Sequence, residues 1–261
     1  MDVAPQKQVK RIIKTVPDID WVEIPAGEFI YGSDEEKNKE TLYLDTFYIS
    51  RYPITNMQYQ TFVDDGGYED ERWWVGLTKP TREESEWRQG NRPKTNVDWY
   101  ESIAYCRWLS EQMGFEITSP TEQQWEKTAR GEDDREYPWG NEYLSGYANV
   151  DEKENKDGKW YLQQICAVGL YPHGDSLSNV ADLSGNIWEW CLNKYHDEKD
   201  ISINENKNAR ALRGGSWVRG PEFAFSTSHY WLDPNDRFNS RGFRVCCFSP
   251  SQNTDFQAAN S

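Results

Sequence analysis

Residues 210–247 read RALRGGSWVRGPEFAFSTSHYWLDPNDRFNSRGFRVCC, and they separate the chain into a support and a face. The run opens strand-like on Ala211-Leu212-Arg213 and turns at Gly214-Gly215. It closes on Gly242-Phe243-Arg244-Val245, a second strand-like run. Between those ends there is neither a helical nor an alternating period, so the segment is a disordered insert or a surface held at both ends. Its aromatics (Trp217, Phe223, Phe225, Tyr230, Trp231 and Phe238) decide for order, because disordered segments are poor in them. We read this stretch as the functional face and the remainder as what holds it.

The remainder has the means to do so. The chain has 261 residues, 15% of them aromatic and 13 of them Trp, enough for a core despite many polar loops. Gly and Pro are scattered rather than gathered into a linker, which points to one irregular domain over 21–248. An N-terminal tail, 1–20, and a C-terminal tail, 249–261, flank it. The net charge of −15 gives no basic footprint for nucleic acid, so none is expected as a partner. In the tail the pair Ile12-Ile13 is the only apolar stretch, far too short for a signal segment or a membrane span. The expectation is a cytoplasmic protein whose tail is either mobile or a docking segment for a partner. Cys106, Cys166, Cys191, Cys246 and Cys247 form no CxxC, and the odd count favours reduced thiols. On a strand, Cys246 and Cys247 would point to opposite faces, one into the core and one outward. The alternative is a disulfide from Cys106 to one of them.

Read in order, 21–29 gives two short strands around Pro25-Ala26-Gly27, and 42–52 gives one alternating strand. Thr55 or Asn56 caps a helix over 57–62. Trp73, Trp74 and Trp87 lie in a loop region, either folded over the core or exposed for docking. Asn96-Val97-Asp98 starts a second helix over 99–112, ended by Gly114. Thr121 and Gln124 form a capping box for a third helix that stops near Gly131. Two or three helices, short strands and long loops make an α+β domain.

Eight motifs punctuate this order. They are Ile24-Pro25-Ala26-Gly27-Glu28-Phe29, Tyr52-Pro53-Ile54-Thr55-Asn56, Asn96-Val97-Asp98-Trp99, Ser119-Pro120-Thr121-Glu122, Pro138-Trp139-Gly140, Ser184-Gly185-Asn186-Ile187-Trp188-Glu189-Trp190, Arg213-Gly214-Gly215-Ser216-Trp217 and Gly242-Phe243-Arg244-Val245. Together they resemble the formylglycine-generating enzyme (sulfatase-modifying factor) family over 21–247. The resemblance implies a C-type-lectin-like fold elaborated with loops. Family oxidases convert a sulfatase cysteine to formylglycine with oxygen and copper, using two cysteines after the Gly-Gly-Ser motif. Soft Cu(I) is held by thiolates. Here the corresponding positions are Arg219 and Ala224, so no copper is expected, and the oxidase is the alternative reading.

The other known use of this scaffold is display. The chain resembles the variable proteins of diversity-generating retroelements, which present a variegated surface between these same anchors. The matching positions are Val218, Arg219, Gly220, Glu222, Phe223, Phe225, Thr227, His229, Tyr230, Trp231 and Asn239. Aromatic anchors with Arg and polar groups suit recognition of a protein or cell-surface ligand. A third reading is a structural or regulatory subunit of a bacterial assembly. The resemblance also implies structural Ca²⁺ at Asp182, Gly185, Ile187 and Glu189, with Asn149, Val150 and Asp157 as a second set. His173, His196 and His229 are isolated, so no zinc or iron motif appears. His173 and His196 read as surface loop and His229 as a contact residue. Arg213 and Arg244 read as internal cross-links, Arg241 as a residue that could face a ligand. Trp188 and Trp190 read as core.

Overall fold

The structure is a computed structural model and describes residues 16–35, 37–153, 159–205 and 207–250. Its strands are β1 (Trp21–Ile24), β2 (Gly27–Tyr31), β3 (Glu40–Leu44), β4 (Phe47–Ser50), β5 (Trp188–Lys194), β6 (Arg210–Arg213), β7 (His229–Leu232), β8 (Arg241–Gly242) and β9 (Cys246–Cys247). The helices are α1 (Asn56–Asp64), α2 (Trp99–Met113) and α3 (Glu122–Arg130).

Each helix starts on a reciprocal cap. Thr55 and Gln58 cap α1, Asp98 and Glu101 cap α2, and Thr121 and Gln124 cap α3. Two orphan backbone donors are satisfied at each start, which is worth about 1 kcal/mol per cap. Gly114 ends α2 in the left-handed conformation at φ 79°. All three helices therefore stand where their cap residues place them, with α1 longer than expected by a residue or two at each end.

Four strands in the order β7-β6-β5-β8 form the sheet that carries the face. Its register aligns Trp190 with Leu212 and Leu212 with Tyr230 on one side, and Glu189 with Arg213 and Arg213 with His229 on the other. The first side packs Trp188, Trp190 and Leu212 against the α2 cluster of Trp99, Ile103 and Tyr105. The second packs Cys191 and Ala211 against Trp125 and Ala129 of α3. The sheet is thus a partition between two cores, and Trp188 and Trp190 belong to one of them as read.

Three expectations change. The stretch 42–52 is two strands, because the chain breaks at Asp45-Thr46 and sends β3 and β4 into different sheets. Cys246 and Cys247 do point apart, but each enters one of the two cores and neither is exposed. All five cysteines are free and buried, so the disulfide from Cys106 is not formed. Burial pushes the thiols of Cys106 and Cys247 up to about 12, which leaves them protonated and inert. Trp73 and Trp74 fold over the core, where Arg107 of α2 donates to the carbonyls of Trp73 and Val75. Among the described residues no helix is long and apolar enough to cross a membrane. Residues 1–15 of the N-terminal tail and 251–261 of the C-terminal tail lie outside the described residues.

Candidate binding face

Two buried arginines pin the ends of the segment. Arg213 Nε donates to Glu122 Oε1 at 2.9 Å, and its Nη1 donates to Glu126 Oε2 at 2.9 Å and to the Thr227 carbonyl at 3.1 Å. Arg244 grips both oxygens of Glu189, at 2.5 and 2.8 Å, and donates to the carbonyls of Ser50 and Ala181. Both are internal cross-links, as their setting in the sequence suggested. Gly214 and Gly215, at φ 98° and 73°, turn the chain out of β6. Ser184 Oγ then donates to the Ala224 carbonyl at 2.7 Å, and the Ser226 amide to Glu136 O at 2.6 Å. The base of the segment is therefore fixed by buried polar bonds and its side chains are carried on top.

Those side chains wrap around the edge of the sheet. β7 is an edge strand, and its alternation sends neighbours to opposite sides of the sheet. Tyr230 lies over Trp188, with ring centroids 5.9 Å apart. His229 and Trp231 go to the other side, against Tyr195 at 5.1 and 6.2 Å, with His196 beside Trp231 at 6.5 Å. The ribbon read as a single face is two faces sharing an edge. Tyr230 and Trp231 nonetheless stack on each other, with centroids 6.4 Å and planes 15° apart, so the two faces meet in one continuous aromatic strip along the edge. On the first, Arg219 lies over Phe223 and Arg241 over Phe238, at 5.4 and 4.1 Å. Beneath it Trp217 packs edge-on against Trp87 and stacks on Tyr161.

The eleven candidate positions sort accordingly. Arg219, Phe223, Tyr230 and Trp231 are exposed, while Val218 and Glu222 are half-buried. Phe225 packs on Tyr137 at 5.0 Å, Thr227 spends its carbonyl on Arg213, and Asn239 donates to Glu86 at 2.7 Å. Gly220 is buried, and a Cβ there would stand 2.5 Å from Glu222 Oε2, so it shapes the turn and offers no contact. His229 is less a free contact residue than expected: Nδ1 lies 3.4 Å from Glu122 Oε1, which orients the ring. His173 and His196 are both exposed, His196 in a turn and His173 in a single 3-10 turn over Pro172–Gly174. Sequence reading missed Tyr195, which joins the second face because it directly follows the strand that carries Glu189. The only sequence signal was the Tyr195-His196 pair itself.

The positions that hold cysteines in the family oxidases carry an exposed Arg219 and a fully buried Ala224. The proposed calcium quartet does not fit the ion. Both oxygens of Glu189 are held by Arg244, and Oε2 also accepts from the Trp125 indole at 2.8 Å. A guanidinium already neutralises that carboxylate. Asp182 Oδ2 accepts from the Gly169 amide at 2.7 Å, and burial pushes its carboxyl up to about 6. Gly185 and Ile187 are buried in the turn between them. In the second set, the Asn149 side chain donates to Gln164 O and Asn186 Oδ1, at 3.0 and 3.1 Å, and Val150 is buried. Asp157 lies outside the described residues. The acid at work in that loop is Glu152, which accepts from Tyr143, Ser145 and the amides of Gly146, Lys159 and Trp160. Among the described residues no three His, Cys, Asp or Glu side chains gather as a metal set.

Gly185 joins the 149–150 loop to the sheet at φ 77°, and a Cβ there would lie 2.6 Å from the Asn149 carbonyl oxygen. Gly185→Ala must relieve both the backbone strain and that collision, at a cost of roughly 1–3 kcal/mol. The check is a urea midpoint; an unchanged midpoint would mean the loop moves aside freely.

With this geometry in hand, comparison with known proteins is informative. The family model for the sulfatase-modifying factor enzyme 1-like domain matches residues 6–247. The chain is 29% identical over 251 residues to hercynine oxygenase of Mycobacterium tuberculosis, covering 81% of this chain and 55% of that one. It therefore spans just over half the length of that relative. It is 24% identical to the formylglycine-generating enzyme of Bos taurus, covering 94% of this chain and 73% of that one. Among solved structures, Treponema denticola variable protein 1 superposes with a TM-score of 0.70 at 21% identity, over 90% of this chain and 98% of that one. That likeness establishes the α+β, C-type-lectin-like fold.

Proposed function

The chain belongs to the sulfatase-modifying factor enzyme 1-like family, and from that premise we propose that it is a non-catalytic ligand-binding module. Its contacts are made by the loops and edge strand between Val218 and Arg241. The observation that carries this reading is the division of labour in 210–247. Arg213 and Arg244 are spent on buried carboxylates, while Arg219, Phe223, Tyr230, Trp231 and Phe238 stand exposed on the base they fix. Exposed aromatics on a rigid base supply contact area at a small entropic cost. A protein or cell-surface ligand suits two faces that share an edge, because a broad partner covers both. Diversification of the segment in a retroelement system, a cytoplasmic location and docking through residues 1–20 are part of the same proposal.

The test is a panel of immobilised protein ectodomains and glycans, probed with wild type, Tyr230→Ala and Trp231→Ala. Each truncation is expected to weaken the selected ligand by about thirtyfold, the effect of losing one hot-spot aromatic. Unchanged binding in both variants would place the site elsewhere.

Two relatives, hercynine oxygenase and formylglycine-generating enzyme, favour an oxidase as the second reading. Arg219 and Ala224 offer no thiolate to Cu(I) at the positions that matter for the second of these. Incubation of the Cu(I)-treated protein with a sulfatase-type cysteine peptide and oxygen is expected to leave the thiol intact. Formylglycine in the product mass spectrum would replace the binding reading with the enzymatic one.

A further inference from the structure

The display sheet ends in two unlike edges. β8 is two residues long, whereas β7 is four residues long and pairs with β6 in unbroken register from Arg213–His229 to Arg210–Leu232. In the sheet of β1, β4 and β9 the outer side of β9 is closed, because Cys246 and Thr118 exchange backbone hydrogen bonds at 2.7 and 2.9 Å. Among the described residues β7 has no such cover: Tyr230, Trp231 and Leu232 make no backbone hydrogen bond outside the ladder with β6. An antiparallel ladder uses the amide and carbonyl of every second residue, so the others on β7 face outward. Natural edges are commonly blunted by a lysine, a proline or a bulge. His229-Tyr230-Trp231-Leu232 has none of these.

The two sides of that edge differ in charge. Tyr230, 45% exposed, stands on the first face. The cations of that face are Arg219, Arg210, which is buried over Trp99 opposite Leu232, and Arg241, which lies on β8 at the opposite edge of the sheet with Asp236 near it. Trp231, 48% exposed, stands on the second face, and the turn after β5 starts beside it at His196. The turn continues with Asp197 and Glu198, and Glu122 lies buried beside His229. Lys199 is the exposed cation of that turn, since Lys194 pairs with Asp200, and Arg213 is spent on Glu122 and Glu126.

We propose that the open edge of β7 takes up an extended segment of a partner protein as a fifth strand, with basic side chains on the Trp231 side and uncharged β-branched ones on the Tyr230 side. This rests on the ligand-binding reading of the same edge and names the chemistry of its partner. Backbone hydrogen bonds attach the segment, and its alternating side chains select it. A lysine or arginine over the Trp231 ring gains a cation–π contact close to Asp197 and Glu198. A β-branched residue packs on Tyr230 as a cross-strand neighbour. A second copy of this chain fits poorly, because its own β7 carries neither Lys nor Arg and each copy has a net charge of −15.

The probes are the peptides acetyl-TVKVKVT-amide and acetyl-TVEVEVT-amide, with two further forms of the first, N-methylated at its lysines or at its valines. Calorimetry on the full chain, wild type and Trp231→Lys, gives the affinities, and hydrogen–deuterium exchange follows the amides of 229–232. The basic peptide is expected to bind at least about tenfold tighter than the acidic one and to slow exchange across β7. Strand pairing uses alternate amides, so one N-methylated form should lose binding and the other should keep it. Trp231→Lys sets a like charge on the edge and should weaken the basic peptide by about tenfold. The methylated pair is compared on wild type, so misfolding of the variant cannot imitate its result. No binding of the basic peptide, equal affinity for the acidic one, equal effects of the two methylations, unchanged exchange, or wild-type affinity in Trp231→Lys would overturn the strand site. Should the strand site fail while Tyr230→Ala and Trp231→Ala still weaken the selected panel ligand, the display reading stands without it. Should the basic peptide add to β7 while both alanine variants leave panel binding intact, the display reading falls and the strand site stands.

Discussion

Arg244→Met is expected to lower the stability of the domain by about 3–5 kcal/mol, the cost of removing one partner from a buried ion pair. Arg244 and Glu189 are both completely buried, and the guanidinium does more than pair. It also donates to Ser50 O at the end of β4 and to Ala181 O in the loop before β5. One side chain therefore ties the three-stranded sheet of β1, β4 and β9 to the strand that begins the display sheet. Met fills much of the volume but leaves Glu189 with the Trp125 indole as its remaining side-chain donor. The carbonyls of Ser50 and Ala181 lose that donor as well, as do the more distant carbonyls of Arg51 and Asp182. The companion variant is Arg244→Met with Glu189→Gln, which removes the charge left behind. It should recover at least 1 kcal/mol, because the larger part of the loss is an uncompensated charge and not a lost attraction. Urea midpoints of wild type, both single variants and the double variant give the cycle. A loss under 1 kcal/mol in Arg244→Met, or no recovery in the double variant, would show that the pair is solvated in a way its burial does not suggest.

The helices were legible because their starts are local chemistry. Thr121-Glu122-Gln123-Gln124 contains both halves of a capping box within four residues, and Gly114 ends α2 in the conformation that glycine adopts cheaply. The two ends of the display segment were legible for a related reason: Gly-Gly and Gly-Phe-Arg flank it without a periodic run between. What stayed hidden is long-range. Glu189 and Arg244 are far apart in the chain, and nothing near either names the other. The side to which Tyr230 or Trp231 points depends on the register of β7 against β6, which a four-residue strand does not fix by itself. The calcium quartet was misplaced for the same reason, since its carboxylate is committed to an arginine that the sequence puts in a different motif.

The second large effect lies at the start of α2. Asp98 caps the helix by accepting from the Glu101 amide at 2.8 Å, and Glu101 Oε2 accepts from the Asp98 amide at 2.9 Å. The two acids are almost fully buried side by side. Arg237, from the loop after β7, reaches Asp98 at 3.2 Å and Glu101 at 3.1 Å, and Tyr68 donates to Glu101. Lys94 lies nearby; burial brings its own pKa down to about 8, and below that its positive charge opposes the rise of Glu101. Burial first, and the charge of Glu101 second, push Asp98 up to about 7, against the opposing pull of Arg237. Glu101 moves upward too, chiefly by burial. A carboxyl whose folded pKa exceeds its unfolded value favours the fold while protonated. Its contribution is complete below the ordinary carboxylate range near pH 4 and is lost as pH rises through about 7. Asn at 98 keeps a good cap and cannot ionise. Asp98→Asn should therefore match wild type near pH 4 and exceed it near pH 8 by on the order of 3 kcal/mol. Other acids bend the wild-type curve in the opposite sense: the Arg213 and His229 contacts outweigh burial and hold Glu122 below its usual range, so its contribution is lost on acidification. The difference between variant and wild type isolates the pair from that background. Denaturant melts at several pH values between 4 and 8 read it directly. A difference that does not change with pH, or one that favours wild type at pH 8, would mean that Arg237 neutralises Asp98 fully and that the loop it anchors is held by an ordinary ion pair.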